Sequence, residues 1–281
     1  MTDALLKPWH GSQYPVNRKI DKSNRFGAEC LYAVSFSGGN NGDAWEAVNG
    51  IYISKGGDSD SPLATGPLGI GMDCGADAGD AVRNHYYAIP AGFTYDAGAT
   101  EDFVVCLYGT AEDGNFLNFI GDASASASTM RFRSTGDNFY MQWAGGGARS
   151  LTLTSGLTGP GSGVHLYTII VDQTNSRTAI YVDGVLDVTN TTAAEGFDFH
   201  HFLAGINTTG YGWDGYIQEI QVFLTPSAPW GDADAAAHAE NFFQIYETDN
   251  IIPYLSPHVA AAGGSSSLIY RANPMRTHIT R

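Results

Sequence analysis

Hydrophobic and polar residues alternate along much of the chain between residues 29 and 224. Short runs rich in β-branched and aromatic residues recur there, separated by Gly, Asn, Asp or Ser. This pattern is typical of β-strands, because successive side chains of a strand point to opposite faces of the sheet. The predicted strands cover residues 29–36, 101–109, 115–121, 129–134, 138–143, 150–155, 164–172, 177–184, 199–206 and 214–224.

One segment has helical spacing instead. Residues 232–247 follow two prolines and a glycine, and Asp232 is suited to cap the start of a helix. One face of that helix collects Ala235, Ala239, Phe242 and Tyr246. Many short strands without helices between them favour an antiparallel sandwich over an alternating α/β sheet. The sequence therefore predicts an all-β sandwich with one short C-terminal helix.

The two ends of the chain have a different composition from the middle. Residues 1–25 lack clean periodicity and contain two prolines and a basic cluster, so we expect an extended N-terminal arm. The sandwich is predicted over residues 26–247, and residues 248–281 form a C-terminal tail with a Gly/Ser-rich stretch. Within the sandwich, residues 54–80 are expected to form a long acidic loop with a short strand near 68–72.

Charge divides the chain in the same way. Residues 1–25 and 271–281 together hold eight basic and two acidic residues, a net charge of +6. Residues 26–270 hold the other six basic residues and 27 acidic ones, a net charge of −21. Basic ends on an acidic body suggest docking onto an acidic neighbour, including a second copy of the chain; the alternative is that the ends are merely solvated. The candidate docking residues of the arm are Lys7, Arg18, Lys19, Lys22 and Arg25.

The composition also excludes several classes of protein. Hydrophobic residues make up 43% of the chain and charged residues 15%, which argues against disorder. An acidic body is poorly suited to nucleic acid, and no apolar run is long enough for a membrane span. No secretory signal is expected from the N-terminal residues. Three cysteines are too few for a disulfide framework, and Cys30 and Cys106 fall within strand patterns that predict burial.

No catalytic motif is present in the sequence. HExxH, GxSxG, a Walker loop and paired CxxC motifs are all absent. The nearest match to a glycosidase carboxylate pair, Glu247 and Asp249, falls at the end of the predicted helix and lacks the third acidic position. We therefore expect a protein that is not an enzyme.

Calcium is the one cofactor for which the sequence offers ligands. Asn40, Asn41 and Asp43 fall in a single predicted turn, and side-chain oxygens of this kind suit a hard cation. The alternative interpretation is that they make the backbone hydrogen bonds of the turn.

Aromatic residues suggest a platform for carbohydrate. Tyr211, Trp213 and Tyr216 lie close together just before or within the last predicted strand. Sugar C–H faces pack on such rings, which makes these three residues the candidate glycan-binding site. In the alternative interpretation, Trp213 points into the sandwich and opens the strand.

Residues 164–186, VHLYTIIVDQTNSRTAIYVDGVL, resemble a hallmark hairpin of the laminin G-like, concanavalin A-like jelly-roll family. Residues 213–226 resemble its closing strands, and the helix at 232–247 resembles the short helix that follows them. The resemblance covers about residues 100–247 and implies a jelly-roll sandwich that binds glycans or protein surfaces. Within 164–186, Asp183 and Gly184 suit a tight two-residue turn.

Residues 15–39 resemble the lead-in of tailed-bacteriophage virion proteins that carry this domain, and the residues LIYRANPMRTHITR resemble their C-termini. The resemblance implies a place in the virion, as a tail fibre, head fibre or decoration component. The expected partners are other virion proteins, copies of the chain itself and host surface glycans. Two alternatives stay open: a structural decoration or connector protein without a ligand, and a polysaccharide hydrolase or lyase on the jelly-roll fold.

Overall fold

The structure is a computed structural model that describes residues 19–36, 43–56, 63–66, 69–73, 86–110, 117–122, 128–133, 137–143, 148–155, 163–191, 195–203, 215–225 and 228–247. These residues form two α-helices, α1 (Arg25–Glu29) and α2 (Asp232–Glu240), and a 3-10 helix (Phe242–Ile245). The described strands are β1 (Cys30–Ser35), β2 (Ala44–Glu46), β3 (Ile51–Ile53), β4 (Lys55–Gly56), β5 (Leu63–Gly66), β6 (Gly69–Asp73), β7 (Tyr86–Ala88), β8 (Tyr95–Ala97), β9 (Phe103–Gly109), β10 (Leu117–Gly121), β11 (Thr129–Arg133), β12 (Asn138–Gln142), β13 (Ala148–Thr152), β14 (His165–Asp172), β15 (Arg177–Val182), β16 (Val185–Thr191), β17 (Phe197–Phe199), β18 (His201–Phe202) and β19 (Tyr216–Leu224).

The strands form two main sheets that pack face to face. The large sheet has the order β16, β15, β14, β9, β19, β1, β2, β3, with β6 paired to β19 and β5 paired to β6. The small sheet has the order β13, β12, β11, β10, β18, β7, β4, and β17 pairs with β8 beside it. All pairings among these strands are antiparallel. The predicted all-β antiparallel sandwich with one short C-terminal helix is confirmed.

Aromatic side chains fill the space between the two sheets. The ring of Phe132 on β11 lies 4.9 Å from the ring of Tyr167 on β14, measured between centroids, so the sheets meet directly there. Phe119 stacks on Phe132 at 5.2 Å, and Phe139 meets it edge-on at 5.7 Å. Phe119, Phe132, Phe139 and Tyr167 are all at most 1% exposed. Their burial is the main stabilising contribution at the centre of the sandwich.

Strand β9 is buried on both of its faces, which explains why its sequence FVVCLYG is apolar without alternation. Phe103, Val105 and Leu107 belong to the core between the sheets. Val104, Cys106 and Tyr108 belong to a second core on the outer face of the large sheet. The large sheet is therefore the middle of three layers.

Helix α2, the 3-10 helix and α1 form the third layer, and we call this layer, together with the outer face of the large sheet on which it packs, the helical cap. Ala235, His238 and Ala239 of α2 are buried against the outer face of the large sheet. The predicted helix at 232–247 is thus confirmed as a helical segment, although its α-helical part ends at Glu240 and continues as the 3-10 helix. A φ of −145° at Asn241 interrupts the α-helix at that point.

The hairpin of β15 and β16 has the predicted turn. Val182 pairs with Val185, so Asp183 and Gly184 make a two-residue loop, with φ angles of +50° and +79°. A Cβ atom on Gly184 would lie 2.7 Å from the Cβ of Ala239. Glycine is therefore required both by the turn and by the close approach of the helical cap.

Residues 19–25 belong to the folded body and not to the extended arm that the sequence predicted. The backbone N–H of Asp21 donates to the carbonyl of Ile245 at 2.7 Å, and the N–H of Glu247 donates to the carbonyl of Lys19 at 3.0 Å. Between these bonds Ile20 is 7% exposed. The reason is packing: a single isoleucine in an otherwise polar segment is covered by the end of the cap. Residues 1–18 and 248–281 lie outside the described residues.

The segment between residues 43 and 73 contains more strand than the sequence predicted. In addition to the expected short strand, which is β6, residues 51–56 and 63–66 form β3, β4 and β5. These strands are two to four residues long, too short to show alternation of polar and apolar positions.

Candidate ligand-binding cleft

A cleft lies at the end of the sandwich where three neighbouring strands of the large sheet meet. Strand β9 begins at Phe103, and its two neighbours, β14 and β19, end at Asp172 and Leu224. Since both neighbours run antiparallel to β9, their last residues lie beside its first. Asp102 and Thr225 lie directly outside β9 and β19, and Thr174 lies two residues after the end of β14.

Asp102 connects the three strand ends. Its carboxylate accepts hydrogen bonds from the backbone N–H of Thr174 at 2.9 Å and from the hydroxyl of Thr174 at 2.9 Å. Its backbone carbonyl accepts from the N–H of Thr225 at 3.0 Å. The orientation of the Asp102 carboxylate is therefore fixed by the fold.

Glu101 is held just as firmly. The hydroxyl of Tyr95 donates to its Oε1 at 2.7 Å, and the N–H of Gly98 donates to its Oε2 at 2.6 Å. Burial, together with the hydrogen bond to Glu101, raises the pKa of Tyr95 to about 12. The phenol therefore stays protonated and keeps its donor role across the physiological range.

The cleft has a volume of about 460 Å³, in the range of pockets for small ligands. One aromatic ring and one leucine supply its apolar surface, while hydroxyl and carboxylate groups supply the polar surface. The lining residues are Tyr95, Thr100, Glu101, Asp102, Thr174, Leu224 and Thr225.

Thr225 is the polar residue of the cleft that the fold leaves unsatisfied. Its side chain is 2% exposed, and its Oγ1 has no hydrogen-bond partner among the described residues. A buried hydroxyl without a partner costs about 1–3 kcal/mol.

The carboxylates also have capacity for further hydrogen bonds. Each of the four carboxylate oxygens of Glu101 and Asp102 accepts one of the bonds described above, and a carboxylate oxygen can accept two. The cleft thus presents fixed acceptors, a hydroxyl and an aromatic ring within one cavity. This set of groups suits a polyhydroxylated ligand.

The predicted glycan-binding residues are placed elsewhere or are not described. Tyr216 lies at the first position of β19, at the opposite end of that strand from Thr225, and is 8% exposed. Its backbone N–H donates to the hydroxyl of Thr110 at 2.9 Å. The ring is therefore part of the core and offers little surface to a sugar. Tyr211 and Trp213 lie outside the described residues.

Of the predicted calcium ligands, Asp43 lies in the described part of the chain. Its Oδ1 accepts a hydrogen bond from the backbone N–H of Lys55 at 3.2 Å, which is a structural use of the carboxylate. Asn40 and Asn41 lie outside that part. No group of three or more His, Cys, Asp or Glu side chains is placed to hold a metal ion within the ranges that the structure describes.

Two of the three described basic residues of the predicted docking arm, Lys22 and Arg25, make contacts with the body. Lys22 donates from Nζ to the carbonyl of Cys30 at 3.1 Å. Arg25 pairs with Glu29 at 3.2 Å and with Asp234 at 2.6 Å, so its charge is largely balanced within the fold. Lys19 is exposed, whereas Lys7 and Arg18 lie outside the described residues.

A second polar cluster lies in the interior of the helical cap. Cys106 Sγ lies 3.8 Å from Nδ1 of His238, a pairing that could suggest a nucleophile and its base. Burial instead raises the pKa of Cys106 to about 12 and lowers the pKa of His238 to about 3. Both side chains are 0% exposed, so the thiol is neutral and out of reach of a substrate.

Solved structures of low sequence identity match the chain. The binding domain of Paraclostridial Mosquitocidal Protein 1 is 8% identical with a TM-score of 0.47, over 78% of this chain and 54% of that one. Domain 4 of AbnA, a GH43 extracellular arabinanase from Geobacillus stearothermophilus, is 15% identical with a TM-score of 0.49, over 75% and 98%. The botulinum neurotoxin serotype G binding domain is 11% identical with a TM-score of 0.44, over 75% and 50%. The chain thus spans about half the length of the two toxin structures.

No protein-family model matches the chain, and no curated protein sequence matches it. Among the helices of the described residues, none combines the length and the apolar character that crossing a membrane requires.

Proposed function

We propose that this chain is a lectin-like, non-enzymatic component of a phage virion surface, and that it binds host glycans in the cleft at the end of its sandwich. The observation that carries the binding role is Thr225, which lines the cleft and whose buried hydroxyl has no hydrogen-bond partner among the described residues. The fold leaves such a group unsatisfied at a cost in stability, and a bound sugar hydroxyl removes that cost.

The other lining groups support the same ligand class. Glycans offer many hydroxyl donors, and the carboxylates of Glu101 and Asp102 are fixed acceptors. The ring of Tyr95 can pack against the C–H face of a sugar. A cleft that combines apolar surface with a few positioned polar groups is the usual form of a small-ligand site.

The non-enzymatic character is supported by the use of the two carboxylates. Each one is engaged by two donors of the fold, an arrangement suited to holding an acceptor in place. The sequence adds that no catalytic motif occurs along the chain. Incubation with polysaccharides, read by the release of reducing ends or of unsaturated sugars, tests this part. Turnover would overturn the non-enzymatic assignment.

The binding role is tested by screening the full chain against a glycan array and titrating the best hit by calorimetry. Thr225→Val replaces the unsatisfied hydroxyl with a methyl group of similar size. We expect about tenfold weaker binding, since one lost hydrogen bond corresponds to about 1.4 kcal/mol. Thr168→Val makes the same change in the helical cap and is the matched control. Unchanged binding by the Thr225 variant would contradict the assignment of the cleft.

The virion setting is supported by the resemblance of residues 15–39 to phage virion proteins and by the contrast between basic ends and acidic body. Other virion proteins and copies of the chain are the proposed partners of the ends. Deletion of residues 1–18 tests this, because it spares the contacts of residues 19–25 with the helical cap. The shortened chain should fold normally and fail to enter particles. Normal incorporation would show that these residues are not the anchor.

A further inference from the structure

The charge of the cleft is fixed in place. Glu101 and Asp102 both line it, and two donors hold each carboxylate in one orientation. The donors come from the backbone of Gly98 and Thr174 and from two hydroxyl groups, so neither carboxylate can swing away from a ligand without breaking these bonds. Two negative charges therefore remain in contact with whatever occupies the cleft.

Among the described residues that line the cleft, no Lys, Arg or His offsets this charge. Arg177 follows the same β14–β15 turn as Thr174, but it is directed to other acceptors: its Nε lies 3.8 Å from Asp172 Oδ2, and its Nη2 donates to the carbonyl of Trp230 at 3.4 Å. The net charge of −21 on residues 26–270 adds a negative field around the site.

An independent observation marks the same place as a ligand site. Thr225 lines the cleft and is nine-tenths buried or more, and its Oγ1 has no hydrogen-bond partner among the described residues. The site thus combines an unfilled hydrogen-bonding position with fixed negative charge.

We propose that the cleft selects uncharged glycans and excludes glycans that carry a carboxylate, such as those ending in sialic or uronic acids. This inference rests on the proposed function and adds the ligand class to it. Neutral sugars use the carboxylates of Glu101 and Asp102 as acceptors for their hydroxyl protons. An acidic sugar brings a third negative charge into a partly buried site, where repulsion between like charges is stronger than in water.

The test compares glycans that differ by acidic groups. The probes are cellotriose with its triglucuronate counterpart, α-1,4-galactotriose with trigalacturonate, and lactose with 3′-sialyllactose. Each is titrated against the full chain by calorimetry at low and at high salt. We expect any neutral member that binds to do so at least about tenfold more tightly than its acidic partner, and salt should narrow the difference by screening.

Asp102→Asn removes one of the two negative charges of the cleft. It preserves the shape of the side chain, and the hydroxyl of Thr174 can turn to accept from the new amide. The ratio of neutral to acidic affinity should fall several-fold in this variant. Glu240→Gln removes the same charge from an exposed position on α2 and should leave the ratio as it is in the wild type.

The possible outcomes separate the two proposals. Binding of an acidic glycan as tightly as its neutral partner overturns the selectivity and leaves the glycan-binding role intact. An equal fall in the ratio for Asp102→Asn and Glu240→Gln shows that the overall field, and not the cleft, governs selection, which also overturns the inference. Failure of all six probes to bind counts against the proposed function itself.

Discussion

The helical cap and the cleft hold the same kinds of buried polar side chain, yet they treat them differently. In the cap, several of the groups hydrogen-bond to one another. Gln221 donates to Glu219 at 2.5 Å, and its Oε1 lies 2.9 Å from Nε2 of His238. The hydroxyl of Tyr246 also donates to Glu219, at 2.7 Å. At the cleft, the hydroxyl of Thr225 is buried to a similar degree and has no partner among the described residues.

We therefore assign the hydrogen-bonded groups of the cap to stability and the unsatisfied hydroxyl of the cleft to ligand binding. A connected network of buried polar groups joins α2 and the 3-10 helix to the large sheet, and its hydrogen bonds offset much of its cost of desolvation. The cleft lacks part of that compensation. We infer that a ligand completes it.

Gln221→Leu should have the largest effect. The substitution removes the donor to Glu219 and the acceptor for His238 without removing the bulk of the side chain. Buried polar groups that lose a partner cost about 1–3 kcal/mol each, so we expect a loss of about 2–4 kcal/mol in the free energy of unfolding. Chemical denaturation measures it. A loss below about 1 kcal/mol would show that the network does not stabilise the cap.

Lowering the pH should destabilise the helical cap, because it favours protonation of His238. Four aromatic rings, those of Phe26, Phe223, Trp230 and Phe242, surround its imidazole at centroid distances of 5.3–5.4 Å, and burial lowers its pKa from 6.5 to about 3. The unfolded chain therefore binds a proton more readily than the folded one. The associated stability is present above pH 6.5 and is lost as the pH falls from there towards 3.

Between pH 7 and pH 5 this linkage corresponds to a loss of about 2 kcal/mol. Denaturation of the wild type and of His238→Gln at both pH values isolates the contribution, because glutamine does not titrate. The variant should lose about 2 kcal/mol less than the wild type over this interval. Equal losses would show that His238 is not the group responsible.

Thr168→Val and Thr225→Val should have the smallest effects on the free energy of unfolding, and the two effects should differ. In the cap, the hydroxyl of Thr168 accepts from Cys106 Sγ at 3.7 Å. Thr168→Val should therefore lower the free energy of unfolding by about 1 kcal/mol, whereas Thr225→Val should leave it unchanged or raise it by about 1 kcal/mol. Thermal and chemical denaturation of both variants without ligand tests the signs. Equal destabilisation would mean that the Thr225 hydroxyl is satisfied in the folded protein.

The sequence predicts much of the fold because most of the signals are local. The β-rich runs at residues 164–172 and 177–184 identify β14 and β15, the Asp183-Gly184 turn identifies the end of β15, and the structure agrees closely. Strand β16 and the shortest strands near residues 44–66 were missed, because an exposed edge strand and strands of two to four residues carry little periodic signal.

The cleft could not be predicted in the same way. Asp102, Thr174 and Thr225 are far apart in sequence and come together only because β14 and β19 both flank β9. A polar residue within two positions of the end of a buried strand is the one signal that each of them gives. By contrast, Tyr216 stands out in the sequence as one of three neighbouring aromatic residues, but its side chain is buried in the structure.

Threonine-methyl NMR tests directly whether a neutral glycan occupies the cleft, because three of the lining residues are threonines. The full chain, labelled at its threonine methyl groups, is titrated with the neutral glycan that binds best among the probes named above. We expect the methyl chemical shifts of Thr100, Thr174 and Thr225 to change along the binding curve. The shift of Thr168 in the cap should stay constant. Saturable binding that leaves the three cleft threonines unshifted would contradict occupation of the cleft.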